Sequence, residues 1–280
     1  MTSIHLSTEP LRQAWTVAKL GFRKNRTTAI TGLILMLVTV PVILLLQLSV
    51  APDSAYLDDM FQGLITFLML PISLIMLILA AGLMFGYLHN RAALDVFHAL
   101  PVRRVPLAAG RLLAGYLLVF IPQAITFLAV FFLRFIKPLN ALSLDLLART
   151  AGSVFLLSLA VYAVSVLAFT MTGTIFDALF LTALLNLAYP ATLATLDFFV
   201  GLVLPGFTVD MQPALDRYLL LSPIGRFFTV VYRDVGLLDL LWWILVIAAM
   251  ILGILLIYRQ RKSERDGTPF TYHMPFLINR

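Results

Sequence analysis

Six long apolar runs constrain this chain more than any other feature of its sequence. They cover about residues 28–50, 61–88, 111–133, 150–171, 177–204 and 236–258. A helix needs about 20 mostly apolar residues to cross the hydrocarbon core of a bilayer, and each run reaches that length. The composition agrees, because 61% of the residues are hydrophobic and only 12% are charged, unlike a soluble domain. The sequence therefore predicts an all-α integral membrane protein whose single transmembrane domain covers residues 1–280.

The segment before the first apolar run is basic and amphipathic. Over about residues 10–26, apolar side chains recur at helical spacing among lysines and arginines. Trp15, Lys19 and Arg23 are of the residue types that favour the headgroup layer of a membrane. The segment lacks the early apolar core and the cleavage site of a signal peptide. We expect an interfacial helix here, and the alternative is a solvated start to the first span.

The distribution of lysine and arginine predicts the orientation of the six spans. If the N-terminus is cytoplasmic, fourteen basic residues lie on the inner side and six on the outer side. Cytoplasmic loops carry the excess of basic residues in membrane proteins, so we expect both termini, including the tail 259–280, in the cytoplasm. The prediction is a multi-pass protein of the cell (plasma) membrane. We assign the net charge of +6 to this asymmetry and predict no nucleic-acid partner.

The sequence argues against several kinds of catalytic or metal site. A nucleotide-hydrolysing P-loop ends in Gly-Lys-Ser/Thr, whereas only one of the four lysines, Lys262, precedes a serine or threonine, and it follows Arg261. The four histidines lie outside the apolar runs, no two have the i, i+4 spacing of a helical metal pair, and cysteine is absent. An intramembrane serine protease would lack its base. We predict no enzyme activity, no catalytic residue, no metal and no cofactor in this chain.

Charged residues are rare inside the six runs. Ion-coupled transporters usually carry ionisable groups at membrane depth, and here the clearest polar residues at depth are Gln123 and Asn186. One interpretation of these two side chains is hydrogen bonding between helices, and the other is contact with a transported ligand. In either case we expect the energy for any transport to come from another chain.

Two short motifs resemble a known family. The segment "DVFHALPVRRVPLAAGRL", residues 95–112, places an aspartate, a Leu-Pro pair and several arginines between the second and third runs. The tail "YRQRKSERDGTPF", residues 258–270, follows the last run. Together with six spans and a basic N-terminal helix, these motifs resemble the permease subunits of bacterial ABC-2-type ATP-binding-cassette (ABC) exporters.

The resemblance implies an assembly and two structural features. It implies two permease domains, as a homodimer or a heterodimer, with a cytoplasmic ABC ATPase under each that holds ATP and Mg²⁺. It also implies a cytoplasmic coupling helix after span two and short outer amphipathic helices before span six that fold partly back into the membrane. Residues 205–236 mix apolar and charged side chains in the way that such helices require.

The coupling helix is predicted over residues 89–106. Its candidate contacts to an ATPase are the apolar and polar side chains of Leu94, Asp95, Phe97, His98, Leu100, Arg103 and Arg104. Phe97 carries the prediction, because an aromatic side chain in a cytoplasmic loop needs a surface to bury against. Pro101 would end the helix, since the residue before a proline disfavours helical angles. The alternative is a basic loop that only holds the topology.

The predicted function follows from these features together. The chain is expected to be a permease subunit that moves a hydrophobic or amphipathic substrate, such as a lipid, a drug or a peptide, outward through the membrane. A separate subunit would hydrolyse the ATP. The alternative function is that of a non-transporting scaffold or sensor subunit that recruits a cytoplasmic protein.

Overall fold

The structure, a computed structural model, is helical through the residues it describes, which are 9–50, 56–90, 93, 102–136, 139–204, 221–229 and 236–260. No β-strand occurs within these ranges. Six helical segments in them are long and apolar enough to cross a membrane. The predicted all-helical class is therefore confirmed, and the six long apolar helices agree with a multi-pass membrane protein.

The helices have the following bounds. They are α1 (Pro10–Lys24), α2 (Arg26–Leu37), α3 (Ile43–Val50), α4 (Leu57–Leu64), α5 (Leu70–Phe85), α6 (Arg104–Leu133), α7 (Leu144–Met171), α8 (Ile175–Val203), α9 (Pro223–Thr229) and α10 (Leu237–Gln260). The membrane-crossing parts are span 1 (Arg26–Leu46), span 2 (Leu57–His89), span 3 (Arg104–Leu133), span 4 (Leu144–Met171), span 5 (Ile175–Val203) and span 6 (Leu238–Arg259). Spans 1 and 2 each join two α-helices through one π-helical turn.

Prolines accompany both π-helical turns. Pro41 lies inside the turn Val38–Val42, and Pro71 comes two residues after the turn Ile65–Met69. A proline has no N–H to donate, and its ring clashes with the carbonyl four residues earlier. A wider turn relieves that clash while the helix continues. Spans 1 and 2 therefore pass through their prolines without a break.

Span 4 is the centre of the bundle. It contacts spans 2, 3, 5 and 6 as well as the short helix α9, and it is the most buried of the six spans. Its side chains Tyr162 and Phe169 are enclosed by neighbouring helices. Spans 5 and 6 instead turn most of their apolar surface outward. Lipid tails solvate such surfaces as well as a protein core does, so the exposed apolar surface of these two spans can contact lipid or another membrane helix.

Contacts between spans define two ends of the bundle. At one end the Ser143 backbone N–H donates to Asp58 Oδ1 at 3.0 Å, which joins the beginnings of spans 2 and 4. At the other end Tyr87 and Tyr258 join the ends of spans 2 and 6. We call the end with Tyr87 and Tyr258 the near end and the end with Asp58 the far end. Helix α1 packs at the near end, against the first turns of span 3.

Candidate functional site

A cluster of two tyrosines and one arginine joins three spans at the near end. Tyr87 lies in the 3₁₀ turn that ends span 2, Arg111 two turns into span 3, and Tyr258 in the last turn of span 6. The Arg111 guanidinium carbon is 3.8 Å from the centroid of the Tyr87 ring, and the hydroxyl oxygens of Tyr87 and Tyr258 are 2.5 Å apart. We refer to Tyr87, Arg111 and Tyr258 as the tyrosine–arginine cluster.

The cluster also supplies a partner for the backbone at the end of span 2. The last carbonyls of a helix lack partners within the helix, and Arg111 Nη1 donates to one of them, the Met84 carbonyl. A cation over an aromatic ring contributes about 2 kcal/mol when it is shielded from water, and a buried hydrogen bond about 1 kcal/mol. Both tyrosines are more than nine-tenths buried, so these contacts hold three spans together as one unit.

Gly115 allows span 4 to approach the same region. It lies one turn beyond Arg111 on span 3, and a Cβ atom at this position would stand 2.8 Å from Tyr162 Cζ and 2.9 Å from Met84 Cγ. These distances are shorter than carbon atoms tolerate. The missing side chain thus lets the fully buried Tyr162 ring lie directly against span 3.

The predicted coupling segment is described only at its two borders. Leu94, Asp95, Phe97, His98 and Leu100 lie outside the described residues. The prediction that these five residues bind an ATPase therefore remains a prediction.

The borders of the segment both lie beside the tyrosine–arginine cluster. Arg103 and Arg104 are exposed where span 3 begins. On the other side, Asn90 has extended backbone angles and its Oδ1 accepts a hydrogen bond from the Ala93 N–H at 3.3 Å. A side-chain oxygen that accepts from the backbone three residues later is the arrangement of a helix N-cap. In the described part of the chain this bond is the last contact before the predicted coupling residues.

Helix α1 has the predicted exposed residues and one contact that the sequence did not indicate. Trp15, Lys19 and Arg23 are exposed, as residues that meet headgroups would be. The opposite face packs on span 3, where a Cβ atom at Gly110 would stand 2.8 Å from Val17 Cβ. The helix is therefore attached to the bundle through small residues, in addition to any contact with lipid.

Gln123 takes part in a polar contact between spans 3 and 4. It is fully buried, and its Oε1 lies 3.4 Å from the Ser158 hydroxyl, which also donates to the Phe155 carbonyl at 2.9 Å. Two turns earlier on span 3, the Tyr116 hydroxyl donates to the same carbonyl at 2.8 Å. The Nε2 of Gln123 has no hydrogen-bond partner among the described residues.

Asn186 on span 5 forms a hydrogen bond with the segment that precedes span 6. Its own Nδ2 donates to the Thr182 carbonyl at 2.7 Å, and the Ser222 hydroxyl donates to the Asn186 carbonyl at 2.7 Å. At 1.5 Å per residue, Asn186 lies about 16 Å from Ile175 and about 25 Å from Val203 along span 5. Ser222, which is 1% exposed, therefore reaches the middle of the bundle.

An ion pair and a cavity lie beside this contact. Arg226 on α9 is 2.5 Å from Asp239 near the start of span 6, and its side chain is only 8% exposed. An apolar cavity of about 260 Å³ lies between spans 4, 5 and 6, with Leu167, Leu185 and Trp243 among its walls. The short helix α9 contributes Pro223 to the same walls. The cavity can accept an apolar group and offers no charged side chain to it.

A comparison with protein-family models found no match for the chain, and a comparison with curated proteins found none either. Within the part of the chain that the structure describes, no three His, Cys, Asp or Glu side chains come together as a metal site would require. The candidate site therefore consists of the tyrosine–arginine cluster, the borders of the coupling segment and the apolar cavity.

Proposed function

We propose that the chain is the membrane permease subunit of an ABC-2-type exporter. It moves a hydrophobic or amphipathic substrate outward, and a separate cytoplasmic ATPase binds and hydrolyses the ATP. The chain works with a second permease domain in the plasma membrane, with both termini in the cytoplasm. The observation that carries the proposal is the tyrosine–arginine cluster, which lies where the segment 91–101 leaves span 2 and enters span 3.

The cluster supports coupling because it connects this segment to the cavity. A force on segment 91–101 acts on Tyr87 at the end of span 2 and on Arg111 near the start of span 3. The Arg111 guanidinium packs on the Tyr87 ring, and the Tyr87 hydroxyl contacts the Tyr258 hydroxyl on span 6. Span 6 also forms one wall of the apolar cavity through Trp243. A movement of the segment is thereby passed along span 6 to the cavity between spans 4, 5 and 6.

The cavity supports the proposed class of substrate. Its walls are aliphatic and aromatic side chains, and burial of apolar surface there is favourable by roughly 25 cal/mol per Å². The contact between Ser222 and Asn186 supports the expected fold-back of the segment before span 6, because it holds α9 at the side of the cavity. A hydrophobic or amphipathic substrate fits these surroundings better than a charged one.

The test compares substitutions at Phe97 in the presence of the ATPase. Phe97→Ala should weaken binding of the ATPase by about thirtyfold, because loss of an anchor at the centre of an interface costs about 2 kcal/mol. Phe97→Leu keeps apolar bulk and should retain most of the binding. The measurements are recovery of the ATPase in a pull-down and ATP-dependent transport in proteoliposomes.

Two outcomes would count against the proposal. Equal binding and equal transport by the parent, Phe97→Ala and Phe97→Leu would make the segment a topology determinant only. Binding of an ATPase without any ATP-dependent transport would instead favour a scaffold or sensor subunit. Membrane insertion of each variant, measured without the ATPase, is the control, because insertion depends on the spans.

The proposed orientation is tested with single cysteines, since the native chain contains none. Ala141→Cys lies at the far end and Asn90→Cys at the near end, and both positions are exposed. A thiol reagent that does not cross membranes should label Ala141→Cys in sealed cells and should leave Asn90→Cys unlabelled until the cells are opened. The reverse pattern would invert the proposed topology.

A further inference from the structure

A second cavity lies at the near end, between α1, span 2 and span 3. Its volume is about 320 Å³. Its apolar walls come from all three elements and comprise Val17, Leu20, Gly21, Leu83, Met84 and Leu107. Its polar lining is formed by Lys24, Asn25 and Arg111. The cavity thus combines a hydrocarbon interior with two cations.

The lining of this cavity is basic among the residues that the structure describes. None of these lining residues is acidic, and α1 has no acidic residue in its first turn and basic residues in its last. The described carboxylate nearest to α1 in the sequence, Glu9, is 3.2 Å from Arg12 and thus already has a cationic partner. The electrostatic surroundings of Lys24 therefore favour an anion.

The position of the cavity decides which anion fits. Helix α1 carries Trp15 and several exposed basic residues at the near end of the spans, which is the level of the headgroups in a membrane. Leu20 and Leu83 are each partly exposed at the cavity, so hydrocarbon can enter from the surrounding lipid. Basic pockets of this kind between membrane helices bind the headgroups of acidic lipids.

We propose that this cavity binds one anionic phospholipid. Its phosphate lies at Lys24 and Arg111, and the part of an acyl chain next to the headgroup lies against Val17, Leu83 and Leu107. Arg111 also belongs to the tyrosine–arginine cluster, so the lipid contacts the unit that joins spans 2, 3 and 6. The inference is independent of the transported substrate and of any ATPase, because it concerns a lipid that remains bound to the chain.

The test measures lipid binding to the purified full-length chain in neutral detergent. Phosphatidylglycerol is the anionic probe and phosphatidylcholine, of the same acyl composition, is the neutral probe. Native mass spectrometry counts bound lipids, and the rise in Tm with lipid concentration gives the apparent affinity. The parent should retain one phosphatidylglycerol per chain and should be stabilised more by it than by phosphatidylcholine.

Two variants and a matched control identify the cavity as the site. Lys24→Gln should weaken phosphatidylglycerol binding about fivefold, the equivalent of roughly 1 kcal/mol for one basic residue at a charged membrane surface. Arg12→Gln removes the same charge from α1 outside the cavity and should bind like the parent. Leu20→Trp fills the apolar part while every cation stays, and should lose the bound lipid but keep the Tm measured in phosphatidylcholine.

Each contrary result would overturn the inference. Unchanged phosphatidylglycerol binding by both Lys24→Gln and Leu20→Trp would show that the cavity is not the site. Equal weakening by Lys24→Gln and Arg12→Gln would show that the total charge of α1 attracts the lipid without a defined pocket. Equal binding of phosphatidylglycerol and phosphatidylcholine by the parent would remove the role of the cations.

Discussion

Replacement of Gly110 by alanine tests how closely α1 depends on its contact with span 3. The new Cβ atom would stand 2.8 Å from Val17 Cβ and 3.0 Å from Val17 Cγ1, and closer still to the Ala14 carbonyl oxygen. Carbon atoms in contact are normally about 3.5–4.0 Å apart, so α1 would have to move outward by about 1 Å. The obstacle includes the backbone of α1, which no change of rotamer can remove.

The expected loss of stability follows from this overlap. Overpacking of a well-packed contact costs about 1–3 kcal/mol, and each kcal/mol corresponds to roughly 2–4 °C in Tm for a chain of this size. We expect Gly110→Ala to lower the Tm by several degrees in detergent, measured by intrinsic fluorescence. Trp15 lies on α1, so its emission in a background of Trp242→Phe and Trp243→Phe should also change as α1 moves.

Gly152→Ala is the matched control for this substitution. A Cβ atom at Gly152, on span 4, meets no other atom within 4 Å. Alanine is favoured over glycine in a helix by about 0.8–1 kcal/mol, so the Tm of Gly152→Ala should equal or exceed that of the parent. If Gly110→Ala were as stable as the parent, the close contact between α1 and span 3 would be refuted.

Two further substitutions test polar contacts inside the bundle. Tyr258→Phe removes a hydroxyl that lies 2.5 Å from the hydroxyl of Tyr87 and should lower the free energy of unfolding by about 1 kcal/mol. The double variant with Tyr87→Phe should be little less stable than Tyr258→Phe alone. Fully additive losses of stability in thermal unfolding would contradict a hydrogen bond between the two hydroxyls. Asp239→Asn removes the anion beside the nearly buried Arg226 and should lower the Tm more than Asp145→Asn, whose ion pair is exposed and contributes about 0.2–1 kcal/mol. An equal fall in Tm for Asp239→Asn and Asp145→Asn would contradict the conclusion that the Arg226–Asp239 pair is shielded from water.

The sequence predicted the spans well because spanning is a local property. A run of about 20 apolar residues has one stable arrangement in a bilayer, since a helix satisfies every backbone N–H and C=O within the segment. The largest shift at a boundary is at span 3, which was predicted to start at residue 111 and begins at Arg104. Pro106 and two arginines interrupt the apolar run there, but a proline fits the first turn of a helix, where its missing N–H removes no bond.

The sequence did not indicate which helices meet or through which side chains. In a soluble helix the apolar stripe marks the buried face, but in a membrane the lipid-facing and buried faces are both apolar. The hydropathy of spans 5 and 6 therefore gave no sign that they are the least buried spans. Ser222 is a similar case, because nothing in the pattern of its neighbours indicated that it would be buried against span 5.

The candidate site shows the same division between local and tertiary information. The arginines of the loop after span 2 and the basic face of α1 were visible in the sequence, because charge in an apolar chain is conspicuous. Arg111 stood at the predicted start of span 3, where a cation needs no buried partner. Span 3 begins at Arg104 in the structure, which places Arg111 two turns inside the span, where a cation requires a partner. Its partner ring, Tyr87, binds Tyr258, 171 positions further along the chain, and only packing of spans 2, 3 and 6 at one end of the bundle brings these residues together.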